Sequence, residues 1–187
     1  MEANALAGNK NSGTREKDDF YPTPPHATNA LLDRIEFKGD IWEPACGDGA
    51  ISEVLTKHGY KVYSSDLFDR GYGEPGIDFL KVSEKNVVPF SSIITNPPYK
   101  IAKEFVEKSL EVTDDKVAML LKLNFLESVN RYGMFKSTPL KHVFVFSKRL
   151  TFYEPNSEKK GKSGVLAYAW YVWEHGYTGN PQIDWII

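Results

Sequence analysis

The residues with the clearest chemical potential are Asn96-Pro97-Pro98-Tyr99, which follow directly on the hydrophobic run SSIIT at positions 91–95. Two successive prolines remove two backbone donors and hold carbonyl acceptors in fixed directions. The Asn96 side-chain oxygen and the Pro97 carbonyl then offer two acceptors at one strand end. The exocyclic amine of adenine is a poor nucleophile, because its lone pair is delocalised into the ring. Accepting one of its hydrogens at each oxygen draws the nitrogen toward tetrahedral geometry and frees the lone pair for an electrophilic methyl. Tyr99 offers a ring on which a base stacks once it has left the duplex. Two prolines at a strand end are equally a plain rigid turn, so the motif needs company.

Two further stretches supply it. Glu43-Pro44-Ala45-Cys46-Gly47-Asp48-Gly49 runs from an apolar segment through a glycine-rich turn into a helical pattern. Glycines there let the backbone approach a ligand at the C-terminal edge of a sheet. A dinucleotide-binding turn wants a third glycine near position 52, where this chain has Ser52, so a nicotinamide dehydrogenase is set aside. Asp66 ends the next apolar segment, 19 residues after Gly47, and a carboxylate there accepts both hydroxyls of a ribose.

Alternating segments position these residues. Helical patterns are expected over residues 26–35, 49–58, 100–112 and around 126–135, and strands over 39–45, 61–65, 91–95, 116–123, 142–147 and 165–173. The first helix follows Thr23-Pro24-Pro25, a fitting N-terminus, and Gly59 stops the second. This alternation predicts an α/β sheet, mostly parallel, with helices on both faces and an antiparallel C-terminal edge strand. Trp170, Trp173 and Trp185 are expected to build the core at that edge.

Composition bounds the rest. With 187 residues, 41% hydrophobic and 26% charged, the chain fits one domain with a substantial core. A single cysteine excludes an internal disulfide, no Cys/His cluster has zinc spacing, and no apolar run is long enough for a membrane. The N-terminus has no hydrophobic signal core, which predicts a cytoplasmic protein. Residues 1–17 lack periodicity and are expected to be a disordered tail. Residues 1–99 carry 15 acidic against 10 basic side chains, and residues 100–187 carry 10 against 13. A basic half beside an acidic one suits a polyanionic substrate and equally a solvated face. The polar loop at 154–164, with Lys159, Lys160 and Lys162 at its tip, is expected to line the cleft that holds nucleic acid.

Together the motifs resemble the class I S-adenosylmethionine-dependent N6-adenine DNA methyltransferases. NPPY and EPACGDG match two of that family's signatures, and Asp19-Phe20-Tyr21-Pro22-Thr23-Pro24-Pro25 matches a third. The resemblance implies a Rossmann-like sheet of seven strands, S-adenosylmethionine as cofactor and nucleic acid, DNA foremost, as substrate. It implies Asn96, Pro97 and Tyr99 as catalytic residues. On the cofactor side it implies that Tyr21 and Thr23 touch the methionine end and that Ala45 and Gly47 belong to the glycine turn. Glu43 would face the methionine part, Asp66 take the ribose hydroxyls, and Leu67 pack on the cofactor adenine. Asp78 would receive that adenine's amine, and Phe79 pack on its ring. No metal is implied. The same chemistry serves adenine in RNA or a protein glutamine amide, and the fold alone also serves a non-catalytic cofactor-binding module.

One departure stands out. Family members with this motif order usually carry a separate target-recognition domain after the catalytic one, whereas 88 residues follow Tyr99 here. The expectation is one catalytic domain over residues 18–187, with sequence recognition that is short-range, loop-borne, borrowed or weak.

Overall fold

A computed structural model describes residues 20–83, 90–152 and 166–187. The expected N-terminal tail, Asp19 and the loop with Lys159, Lys160 and Lys162 lie outside the described residues. Within them the order is α1 (Pro25–Leu32), β1 (Ile41–Glu43), α2 (Ala50–Lys57), β2 (Val62–Asp66), β3 (Glu74–Pro75) and β4 (Ser92–Thr95). Then follow α3 (Ala102–Val112), β5 (Lys116–Lys122), α4 (Val129–Ser137), β6 (Leu140–Phe146), β7 (Tyr168–Glu174) and β8 (Gln182–Ile186). The strands form one sheet in the order β3-β2-β1-β4-β5-β7-β6-β8.

Period-two alternation sorts the apolar residues onto the two faces. On β5, Ala118 and Leu120 face a core with Ala27 and Leu31 of α1, Ile51 and Leu55 of α2, and Trp170. Val117, Met119 and Leu121 face the opposite core, with Trp42, Ile93, Phe105, Phe125, Met134 and Trp173. Strands covered on both faces read as continuous apolar runs, which is why β1, β4 and β5 are visible in the sequence.

β7 runs against all its companions, pairing antiparallel with β5 on one side and β6 on the other. The antiparallel strand is thus present toward the C-terminal side of the sheet, inserted between β5 and β6 rather than at the rim. The rim is β8, parallel to β6. Among the described residues the sheet has eight strands instead of the expected seven. The expectation for Trp185 also changes. Trp170 and Trp173 are fully buried, but Trp185 is 60% exposed. Alternation along β8 puts Ile186 into the core and Trp185 on the opposite face.

The order of strands reverses between β1 and β4, with β2 and β3 leading away on one side and β5 on the other. At such a switch point the loops leaving two neighbouring parallel strands diverge and open a crevice at their C-terminal ends. Glu43 ends β1 and Asn96 follows β4, so this geometry brings the glycine turn and the proline motif to one place. No helix among the described residues is long and apolar enough to cross a membrane.

Candidate active site

A cleft opens at that switch point. Its wall includes Tyr21, Thr23, Glu43, Ala45, Asp66, Leu67, Asp78, Phe79 and Asn96, all expected from sequence. Gly47 stands behind the wall, and Pro97 and Tyr99 also lie off it, while Pro98 and Ile101 line it.

The Asp66 carboxylate organises one wall of the cleft. Its Oδ2 accepts from the Gly47 backbone N–H at 2.9 Å and its Oδ1 from that of Phe68 at 2.9 Å. Each oxygen keeps a second lone pair, so the group is held firmly and still has capacity for two hydroxyls. Gly47 needs its glycine on two counts. Its φ is +57°, and a Cβ would lie 2.2 Å from the Phe20 ring.

Glu43 is buried beneath the start of α2, where Ser52 donates to its Oε2 from both its backbone N–H, at 2.8 Å, and its hydroxyl. Ser52, at the position where a dinucleotide fold has glycine, thus clamps the Glu43 carboxylate. Burial pushes the Glu43 pKa well above the ordinary carboxylate range, and the Ser52 bonds pull against that rise. A native pKa above the unfolded one contributes stability that is complete below the unfolded value and is lost as pH rises through the native one. Glu43→Gln is therefore expected to match wild type in Tm in acid. It should pull ahead as pH rises, in melts followed over about pH 4 to 9. A constant Tm difference across that range would show that Glu43 does not titrate anomalously.

Leu67, expected from sequence to pack on the cofactor adenine, is half exposed. Asp78 Oδ1 accepts from Leu80 N–H at 3.2 Å and its Oδ2 pairs with Lys81 Nζ at 2.8 Å. The Lys81 bond holds the Asp78 carboxyl below its usual range. Phe79 is buried, edge-on to Trp42 at 5.1 Å and beside Phe105 at 5.0 Å, so its ring reaches the cleft from within the core.

Asn96 Nδ2 donates to Thr23 Oγ1 at 3.1 Å and to the Tyr21 carbonyl at 3.4 Å. Its Oδ1 is buried without a hydrogen-bond partner among the described residues. Tyr99 begins a short 3-10 turn before α3 and packs beside Tyr168 at 5.9 Å. Lys122, at the end of β5, sets its ammonium 4.4 Å from the centre of the Tyr99 ring.

Sequence reasoning missed Lys122, the Thr23–Asn96 bond and Arg70. The Arg70 guanidinium lies 4.2 Å over Phe20 and 5.5 Å from the Phe68 ring, all three on the cleft wall. Nothing in the spacing of the sequence announces these contacts. Among the described residues no group of three His, Cys, Asp or Glu side chains is placed to hold a metal ion.

No protein-family model matches the chain. A peptidyl-tRNA hydrolase of Histophilus somni is 25% identical over 127 residues, and this chain covers 59% of that protein's length and 64% of its own. That likeness is too slight to assign a family. The fold is matched more broadly. The modification subunit of a putative type I restriction enzyme from Vibrio vulnificus superposes with a TM-score of 0.61 at 12% identity, over 89% of this chain and 47% of the other. A putative RNA methyltransferase from Pyrococcus horikoshii gives 0.61 at 17%, over 88% and 90%. A putative class I S-adenosylmethionine-dependent methyltransferase from Listeria monocytogenes gives 0.56 at 12%, over 86% and 61%. The chain therefore has the fold of the class I S-adenosylmethionine-dependent methyltransferases and spans about half the length of the restriction-enzyme subunit.

Proposed function

We propose that this protein is an S-adenosylmethionine-dependent methyltransferase acting on the exocyclic N6 amine of adenine in DNA. The observation that carries this reading is the buried, unpartnered Oδ1 of Asn96 at the cleft wall. A buried acceptor left without a donor costs about 1–3 kcal/mol. An amine donor arriving from a substrate satisfies it.

The residues of the cleft fit the cofactor. Asp66 retains acceptor capacity for the ribose hydroxyls, Leu67 is exposed for an adenine ring, and the ammonium of the methionine part would draw the buried Glu43 carboxyl into its ionised form. When bound, S-adenosylmethionine supplies an electrophilic methyl on its sulfonium. On the acceptor side Asn96 Oδ1 takes one amine hydrogen and the Pro97 carbonyl the other, which releases the nitrogen lone pair from the ring. That lone pair forms the new N–C bond as the methyl–sulfur bond breaks, and one amine proton then leaves to solvent. Tyr99 holds the base by its face. The basic excess of residues 100–187 and the Lys122 ammonium beside Tyr99 favour a nucleic acid over a protein amide.

Incubation with methyl-labelled cofactor and separate pools of DNA, RNA and protein tests this directly. Labelled N6-methyladenine in digested DNA is expected. Label in RNA or in glutamine alone would keep the chemistry and replace the substrate. No transfer to any pool would sink the enzymatic reading.

A further inference from the structure

The bond between Thr23 and Asn96 joins residues 73 positions apart, and nothing in the glycine turn or the NPPY motif requires it. An asparagine amide has two ends of similar shape and opposite hydrogen-bonding character. If Asn96 presented its nitrogen to the acceptor site, two donors would face each other and the substrate amine would be repelled. Something must therefore choose the end.

The segment ahead of α1 makes that choice. The Tyr21 carbonyl is an acceptor only, so the group facing it must be the amide nitrogen, and Thr23 Oγ1 takes the second hydrogen of that nitrogen at 3.1 Å. Tyr21, Thr23 and Pro24 each precede a proline, which restricts all three to extended backbone. Pro24 accordingly has φ −58° and ψ 134°. The two acceptors are thereby held at a fixed separation on a stiff strap. Thr23 is only 4% exposed, so little water competes for the bond.

We infer that Thr23 is a positioning residue: the Tyr21 carbonyl chooses the end of the amide, and the Thr23 hydroxyl accepts its second hydrogen and fixes the amide plane so that Oδ1 is held toward the acceptor amine, while the residue also forms part of the cleft wall. This rests on the methyl-transfer reading above and adds a role for Thr23 beyond touching the cofactor. Without the hydroxyl, Asn96 keeps only the longer bond to Tyr21, which still selects the nitrogen end but no longer fixes the plane of the amide, so Oδ1 loses its aim.

Thr23→Val keeps the shape of the side chain and removes the acceptor, and Thr23→Ser restores the acceptor alone. At saturating cofactor and DNA, the single-turnover rate of Thr23→Val should fall by about 10- to 100-fold, the scale of a misplaced reacting group. Thr23→Ser should recover most of that loss. A residue that serves only cofactor binding would instead raise the KM for cofactor and leave the saturated rate untouched. A second readout needs no activity. The side-chain NH2 resonances of Asn96, assigned by their loss in Asn96→Asp, should shift or broaden in Thr23→Val and return in Thr23→Ser. A wild-type rate in Thr23→Val, a serine variant no better than valine, or unchanged Asn96 resonances in Thr23→Val would each overturn the inference. If the wild type transfers no methyl group at all, the proposed function fails, and the resonances still decide whether Thr23 sets Asn96.

Discussion

Asn96→Ala is expected to bind S-adenosylmethionine within a few-fold of wild type and to transfer the methyl group about 100-fold more slowly or worse. The scale is that of deleting one preorganised polar group that acts mainly in the transition state. The physical reason is local. Asn96 Oδ1 is a buried acceptor with no partner among the described residues, and its removal leaves the amine only the Pro97 carbonyl. Thr23 Oγ1 and the Tyr21 carbonyl would also lose their donor, at a net cost of roughly 0.5–1.5 kcal/mol each in stability. A thermal melt should therefore accompany the kinetics. Single-turnover rates close to wild type in a folded variant would mean that another group orients the amine.

The second large effect is on the cofactor. Asp66→Ala should weaken both S-adenosylmethionine and its demethylated product by roughly 1.5–3 kcal/mol, about 10- to 150-fold. Two causes act together. Acceptors for the ribose are lost, and the backbone N–H groups of Gly47 and Phe68 lose the carboxylate that shapes the turn. Asp66→Asn separates them, since its single carbonyl oxygen keeps one of the two backbone bonds. Its affinity should fall between wild type and alanine. Calorimetry on a folded Asp66→Ala with unchanged affinity for both ligands would remove Asp66 from the cofactor site.

The legible parts of this molecule are those where one residue's neighbours in sequence are also its neighbours in space. β1, the glycine turn and α2 form such a unit, as do β4 and the NPPY motif, and both are legible in the sequence. β3 was not, because two exposed residues, Glu74 and Pro75, carry no periodicity. β8 escaped for a related reason: Ile183 and Trp185 are exposed, so its apolar residues do not mark the buried face. The sequence brought Thr23 and Asn96 to notice separately, but their bond depends on how α1 docks against the sheet. Lys122 reached Tyr99 only through the pairing of β4 with β5, which sets the ends of the two strands side by side.

That docking of α1 has a consequence for how the protein comes into being. The Ala27 carbonyl of α1 accepts from Trp170 Nε1 at 2.7 Å, across 143 positions, and Arg34 just after the helix pairs with Asp184, across 150. A nascent chain emerging N-terminus first carries α1 and the proline strap long before β7 and β8 exist to receive them. Contacts this distant in sequence slow folding, because a large loop must close before they form. The strap that aims Asn96 is thus made well before the strands that seat it. A correctly aimed Asn96 would then arrive only with β7 and β8, after β1 to β6 have been made.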